Sequence, residues 1–209
     1  MNYDNVRKKN LAYFTRTLEE SLDEHHAVGQ SELSHMKRFE KILELGDFNG
    51  KRLLDVGCGV GGLYRFLKEK GIDCDYSGVD INPGMIASAR EKYPENKDKF
   101  FLFDILEKQM TETFDYVIAV GPLNLVFETL RNMDFTLRLM KEMYRLAIVG
   151  SAISMTSSFT RKPNDETFYY DPAAVLSETA KFCVNVKIDH TYLPHDFTIF
   201  CYKSDLYIT

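Results

Sequence analysis

Apolar residues along this 209-residue chain alternate between helical and strand-like spacing. Leu11, Phe14, Leu18 and Leu22 recur at steps of three or four, predicting a helix from about Leu11 to Val28 that Gly29 closes. Ser31 is placed to cap a second helix, with Leu33, Met36, Phe39, Ile42, Leu43 and Leu45 facing inward and Gly46 at its end. From Arg52 the pattern changes. Leu53, Leu54 and Val56 form a short buried run, and Gly57, Gly59, Gly61 and Gly62 follow where a backbone turns sharply and passes close to a ligand. A helix from Leu63 to Lys70 stops at Gly71, a strand runs from Tyr76 to Ile81, and Pro83 opens a helix that Pro94 ends. Phe100 to Ile105 and Phe114 to Val120 read as strands, Met133 to Leu146 as a long helix, and Ala147 to Met155 as a fifth strand. Pro172 opens a last helix through Val175, Leu176 and Phe182. Two strands, about Val184 to Tyr192 and Phe197 to Tyr202, close the chain around the turn L-P-H-D.

Strands separated by helices require parallel neighbours with crossovers, so the predicted class is α/β. The architecture is a Rossmann-like, doubly wound, seven-stranded sheet, with N-terminal helices added. The tight final turn makes the last strand antiparallel. Residues 1–48 are expected to form a helical lid segment and residues 49–209 the sheet domain, together one compact unit.

Composition narrows the function classes. The net charge is −5, from 26 basic and 31 acidic side chains, and no basic block is interleaved with aromatics, which argues against nucleic acid as partner. No apolar run has bilayer length and the N-terminus lacks an apolar signal core, so a cytoplasmic protein without membrane contact is expected, as monomer or homodimer. Cys58, Cys74, Cys183 and Cys201 show no C-x-x-C spacing, so neither a disulfide framework nor a metal site is expected.

In such a sheet, ligands bind beyond the carboxyl ends of the strands, where strand order reverses. Asp55, Asp80 and Asp104 fall there. Asp55 suits a positive group, the two oxygens of Asp80 suit a pair of ribose hydroxyls, and Asp104 suits an adenine amino group, with the Ile105 N–H beside it for a ring nitrogen. Residues 57–62 also satisfy G-x-G-x-x-G, which keeps an NAD-linked oxidoreductase in competition. Asp55 is awkward beside a pyrophosphate, and together with the reversed last strand it favours a cationic ligand.

The run D-V-G-C-G-V-G from Asp55 to Gly61, with G-V-D-I-N-P-G-M-I-A-S-A-R, F-F-L-F-D-I and F-D-Y-V-I-A-V-G-P-L-N after it, resembles the class I S-adenosylmethionine-dependent methyltransferases from about residue 50 onward. That resemblance implies S-adenosylmethionine as cofactor and S-adenosylhomocysteine as product. It places Gly57, Cys58, Gly59 and Gly61 against the cofactor and Asp55 at its amino-acid end. Asp80 and Ile81 fall at the ribose, Asp104, Ile105 and Met85 around the adenine, and Gly121 after the fourth strand.

The acceptor side is less determined. G-P-L-N departs from the N-P-P-Y type sequence of relatives that methylate planar amines, leaving Asn124 as a substrate contact or a helix cap. His195 beside Asp196 is a candidate general base, with Tyr192 and Tyr170 as further candidates. Tyr169, Asp196, Tyr13 and His26 are candidate substrate contacts. The ending Y-L-P-H-D-F-T resembles a group of bacterial small-molecule methyltransferases associated with biosynthetic or surface-polysaccharide gene sets. A small-molecule acceptor methylated on oxygen or nitrogen is therefore expected. A non-catalytic cofactor-binding partner subunit is the other alternative.

Overall fold

The computed structural model describes residues 3–20, 31–121, 124–126 and 129–203. Its strands are β1 (Arg52–Val56), β2 (Asp75–Asp80), β3 (Phe100–Leu102), β4 (Phe114–Val120), β5 (Ala147–Thr156), β6 (Asn185–Leu193) and β7 (Asp196–Tyr202). They form one sheet in the order β3-β2-β1-β4-β5-β7-β6. β7 is antiparallel to both β5 and β6, and the other pairs are parallel, so the reversed strand lies one position in from the edge. The order turns back between β1 and β4, which opens a crevice at their carboxyl ends.

Helices α1 (Tyr3–Glu20), α2 (Glu32–Ile42), α3 (Gly62–Glu69), α4 (Pro83–Lys92), α5 (Thr129–Leu146) and α6 (Pro172–Thr179) complete the fold. One core lies between the sheet and α2, α3 and α4, around Phe39, Ile42, Leu53, Phe66 and Phe200. The other lies beneath α5 and α6, around Leu54, Val117, Met143, Val175 and Ile199. Leu53 and Leu54, adjacent on β1 and both fully buried, point into opposite cores, so a helix layer covers each face.

The elements depart from their predicted bounds where tertiary context intervenes. α1 begins at Tyr3 rather than near Leu11. β3 stops at Leu102 because its neighbour β2 ends at Asp80, and Phe103 N donates to Asp80 O before the chain turns at Asp104. Ser31 caps α2 through its hydroxyl as expected, but Leu33 is 67% exposed. The buried face is His35, Arg38, Phe39 and Ile42, which sequence alone assigned only in part. Arg38 lies there because its Nε and Nη2 each donate at 2.9 Å to the two carboxylate oxygens of Asp196, which is wholly buried.

Helix α1 lies across the carboxyl end of the sheet. Its Val6 packs with Leu125 and Phe135, its Phe14 and Leu18 against Val60 and Met85. Asn82 caps α4, accepting from Gly84 N and Met85 N, and its amide donates to Thr15 Oγ1 on α1. Among the described residues no helix is long and apolar enough to cross a membrane.

Candidate functional site

The glycine turn after β1 takes its shape from its neighbours. Gly57, Gly59 and Gly61 all have positive φ, a backbone region open to glycine at little cost. Gly57 N and Cys58 N both donate to Val79 O, at 2.8 and 3.0 Å, so the turn is bound to the end of β2. At Gly61, which starts α3, an added Cβ would lie 2.7 Å from the Tyr93 ring. That ring stacks on Phe100, and Phe100 in turn contacts Tyr64 and Tyr76, making an aromatic layer beneath the turn.

The layer fixes Tyr76, whose hydroxyl donates at 2.7 Å to Asp55 Oδ2. Asp55 is buried, and burial pushes its carboxyl up to about 7, with Asp80 adding to the rise and the Tyr76 hydrogen bond opposing it. Asp80 is also raised by burial, against backbone donors. Its Oδ2 accepts from Gly59 N at 3.0 Å and its Oδ1 from Asn82 N at 2.8 Å, which leaves each oxygen a further acceptor site. Asp104 accepts from Leu106 N and, at both oxygens, from the Tyr3 hydroxyl at 2.8 and 2.7 Å, while Arg7 Nε lies 3.5 Å away. Burial and the Asp104 charge push the Tyr3 hydroxyl pKa strongly up.

These carboxylates share one cleft, partly open to solvent. Asp55, Gly57, Cys58, Gly59, Asp80, Ile81, Met85, Asp104, Ile105 and Gly121 all line it. Gly61 does not; it turns the chain into α3. Tyr3, Asn10 and Phe14 of α1 and His35 and Phe39 of α2 form the facing wall. Asn10 and His35 were not singled out from the sequence. The available signal was a polar residue on an otherwise apolar helix face, His35 standing four residues before Phe39. Among the described residues the lining holds three carboxylates and no Lys or Arg.

The acceptor-side candidates lie elsewhere. Tyr170 is buried under the loop from Ser157, with its hydroxyl 2.7 Å from Thr136 Oγ1, and burial pushes its pKa up to about 12. Tyr192 bonds Thr198 Oγ1 at 2.9 Å and is also raised by burial. His195 is partly exposed, its Nε2 3.4 Å from Ser34 Oγ and 3.7 Å from Asp196 Oδ2. Asp196 is bound to Arg38 instead. Tyr169 accepts from Asn164, Asn124 pairs through its backbone with Phe168, and Tyr13 packs edge-on against Phe14. None of these residues lines the cleft. His26 lies outside the described residues.

A Rossmann-like sheet with a reversed β7 and an acid-lined glycine turn defines a class, the class I methyltransferase fold. The chain matches the family model described as a methyltransferase domain over residues 54–146. It is 26% identical over 156 residues to the Mycobacterium tuberculosis protein Rv1506c, which carries a methyltransferase designation, covering 72% of this chain and 92% of that one. It is 35% identical over 86 residues to a malonyl-acyl-carrier-protein O-methyltransferase of Acetivibrio thermocellus, covering 40% of this chain and 30% of that one. The solved structure of magnesium protoporphyrin IX methyltransferase from Synechocystis PCC 6803, with S-adenosylmethionine bound, superposes with a TM-score of 0.68 at 17% identity, covering 95% of this chain and 97% of that one.

Proposed function

We propose that this cleft binds S-adenosylmethionine and that the chain methylates an oxygen or nitrogen of a small polar acceptor. The supporting observation is the arrangement of Asp55, Asp80 and Asp104 along one cleft beside a glycine turn, with no cationic side chain in the described lining. The donor set fits the cofactor. The free acceptor sites of Asp80 take the ribose hydroxyls, Asp104 takes the adenine amino group with Met85 against the ring, and Asp55 takes the cationic amino-acid end. When bound, S-adenosylmethionine supplies a methyl group already activated on sulfur. The protein therefore contributes proximity and alignment, together with a place for the acceptor's proton. In this reading α1 and α2 are the lid, and Tyr170 supports the loop above β5 rather than the chemistry.

The Y-L-P-H-D-F-T ending favours an acceptor from surface-polysaccharide or small-molecule biosynthesis. Incubating the protein with S-adenosylmethionine and a panel of small amines, sugar nucleotides and hydroxylated acids, and measuring S-adenosylhomocysteine release, tests the activity. Release well above the acceptor-free background is expected for at least one class. Tight product binding without turnover on any acceptor would favour the non-catalytic partner subunit.

A further inference from the structure

Among the described residues of the cleft wall facing the carboxylates, Asn10, Phe14, His35 and Phe39 do not belong to the cofactor set above. Of these four, His35 alone carries a side chain of the type that serves as a proton acceptor in general acid–base catalysis. It is 7% exposed, and its ring lies 4.3 Å from that of Phe39, which fills the turn after it on the same helix face. Helix α2 holds it rigidly, capped at Ser31 and anchored to the sheet by the buried Arg38–Asp196 pair. The elements packed against α2 carry Lys187, Asp189, His190 and Tyr192 on β6, Asp196, Cys201 and Tyr202 on β7, and Asp115 and Tyr116 on β4, with Glu44 just after the helix and His195 in the turn between β6 and β7. Arg38 and Lys41 of α2 itself are paired, with Asp196 and with Glu44 and Asp189. Across the cleft stand Asp55 and Asp80.

We propose that His35 is the catalytic residue on the acceptor side, contacting the acceptor's hydroxyl or amine and taking its proton; this rests on the cofactor placement proposed above. As the acceptor's lone pair forms the new bond to the methyl carbon, the carbon–sulfur bond breaks with its electrons left on sulfur. The acceptor's proton passes to the neutral imidazole and from there to solvent. The lining also restricts the acceptor. With three carboxylates and no Lys or Arg among the described lining residues, the group beside His35 is a neutral hydroxyl or an amine, not a phosphate or carboxylate.

Sinefungin, which carries an amine where the transferred methyl group stands, tests this without knowledge of the acceptor. Calorimetry on the full chain compares sinefungin and S-adenosylhomocysteine in wild type, His35→Phe, His35→Gln and His195→Gln. A hydrogen bond from the ligand's ammonium to the imidazole predicts that His35→Phe weakens sinefungin by about tenfold or more while S-adenosylhomocysteine stays within about twofold. His35→Gln, which retains an acceptor oxygen, is expected to recover part of the loss, and His195→Gln to change neither ligand. Equal weakening of both ligands in both His35 variants, or no change in either, overturns the proposal by making His35 a wall of the cleft. Failure of the wild type to bind S-adenosylhomocysteine overturns instead the cofactor placement on which it rests.

Discussion

At the scale of single residues, Asp55 has the environment with the clearest consequence. Its carboxyl is moved by burial from 3.8 to about 7, so between those values the folded chain holds a proton that the unfolded chain has lost. The stability this group contributes to the ligand-free protein is fully present below pH 3.8 and is lost as the pH rises through about 7. A cationic ligand favours the ionised form, so affinity for S-adenosylmethionine should increase as the pH is raised through about 7, with protons released on binding below it. Calorimetry in buffers of different ionisation enthalpy checks both, and Asp55→Asn should flatten the profile. A flat wild-type profile would count against Asp55 as the partner of the cationic end. Such residue-level environments were only partly legible in the sequence. Asp196 beside His195 reads as a catalytic pair, but a carboxylate with no exposure needs a cation, and that cation is Arg38, 158 residues away.

At the scale of elements, the site depends on how α2 and the glycine turn are held. Arg38→Met would leave Asp196 buried and uncompensated, at a cost of about 3–5 kcal/mol, and replacing both partners with apolar residues should recover most of it. Urea unfolding of the two variants distinguishes this from simple loss of packing. Gly61→Ala forces a side chain into a backbone region with φ +87° and against Tyr93, and should cost about 1–3 kcal/mol by the same measurement. Elements whose pattern is local were readable: Ser31 as a cap, Pro83 and Pro172 opening helices, and the short turn reversing β7. Elements ended by a neighbour were not. F-F-L-F-D-I reads as a continuous strand, but β2 ends at Asp80, so pairing stops with the Phe103 N–H to Asp80 O bond and the chain turns to carry Asp104 into the cleft.

At the scale of the whole molecule, the cleft combines a contiguous segment with a remote one. Residues 55–105 supply the carboxylates and the glycine turn, and these were legible because their spacing is local and tied to strand ends. The facing wall comes from α1 and α2, whose contribution depends on how they dock across the sheet, as when Asn82 of the α4 cap holds Thr15. Sequence pattern placed these helices but could not show which of their polar residues line the cleft, so His35, on which the acceptor-side proposal rests, was not singled out. The central claim, that this cleft is the cofactor site, is tested most directly by calorimetric titration of S-adenosylhomocysteine into the wild type and Asp80→Ala. The account predicts one-site binding to the wild type, weakened in Asp80→Ala by about 1.5–3 kcal/mol through loss of the charge-assisted ribose hydrogen bonds. Equal affinity in the two proteins, or no binding to the wild type, would contradict it.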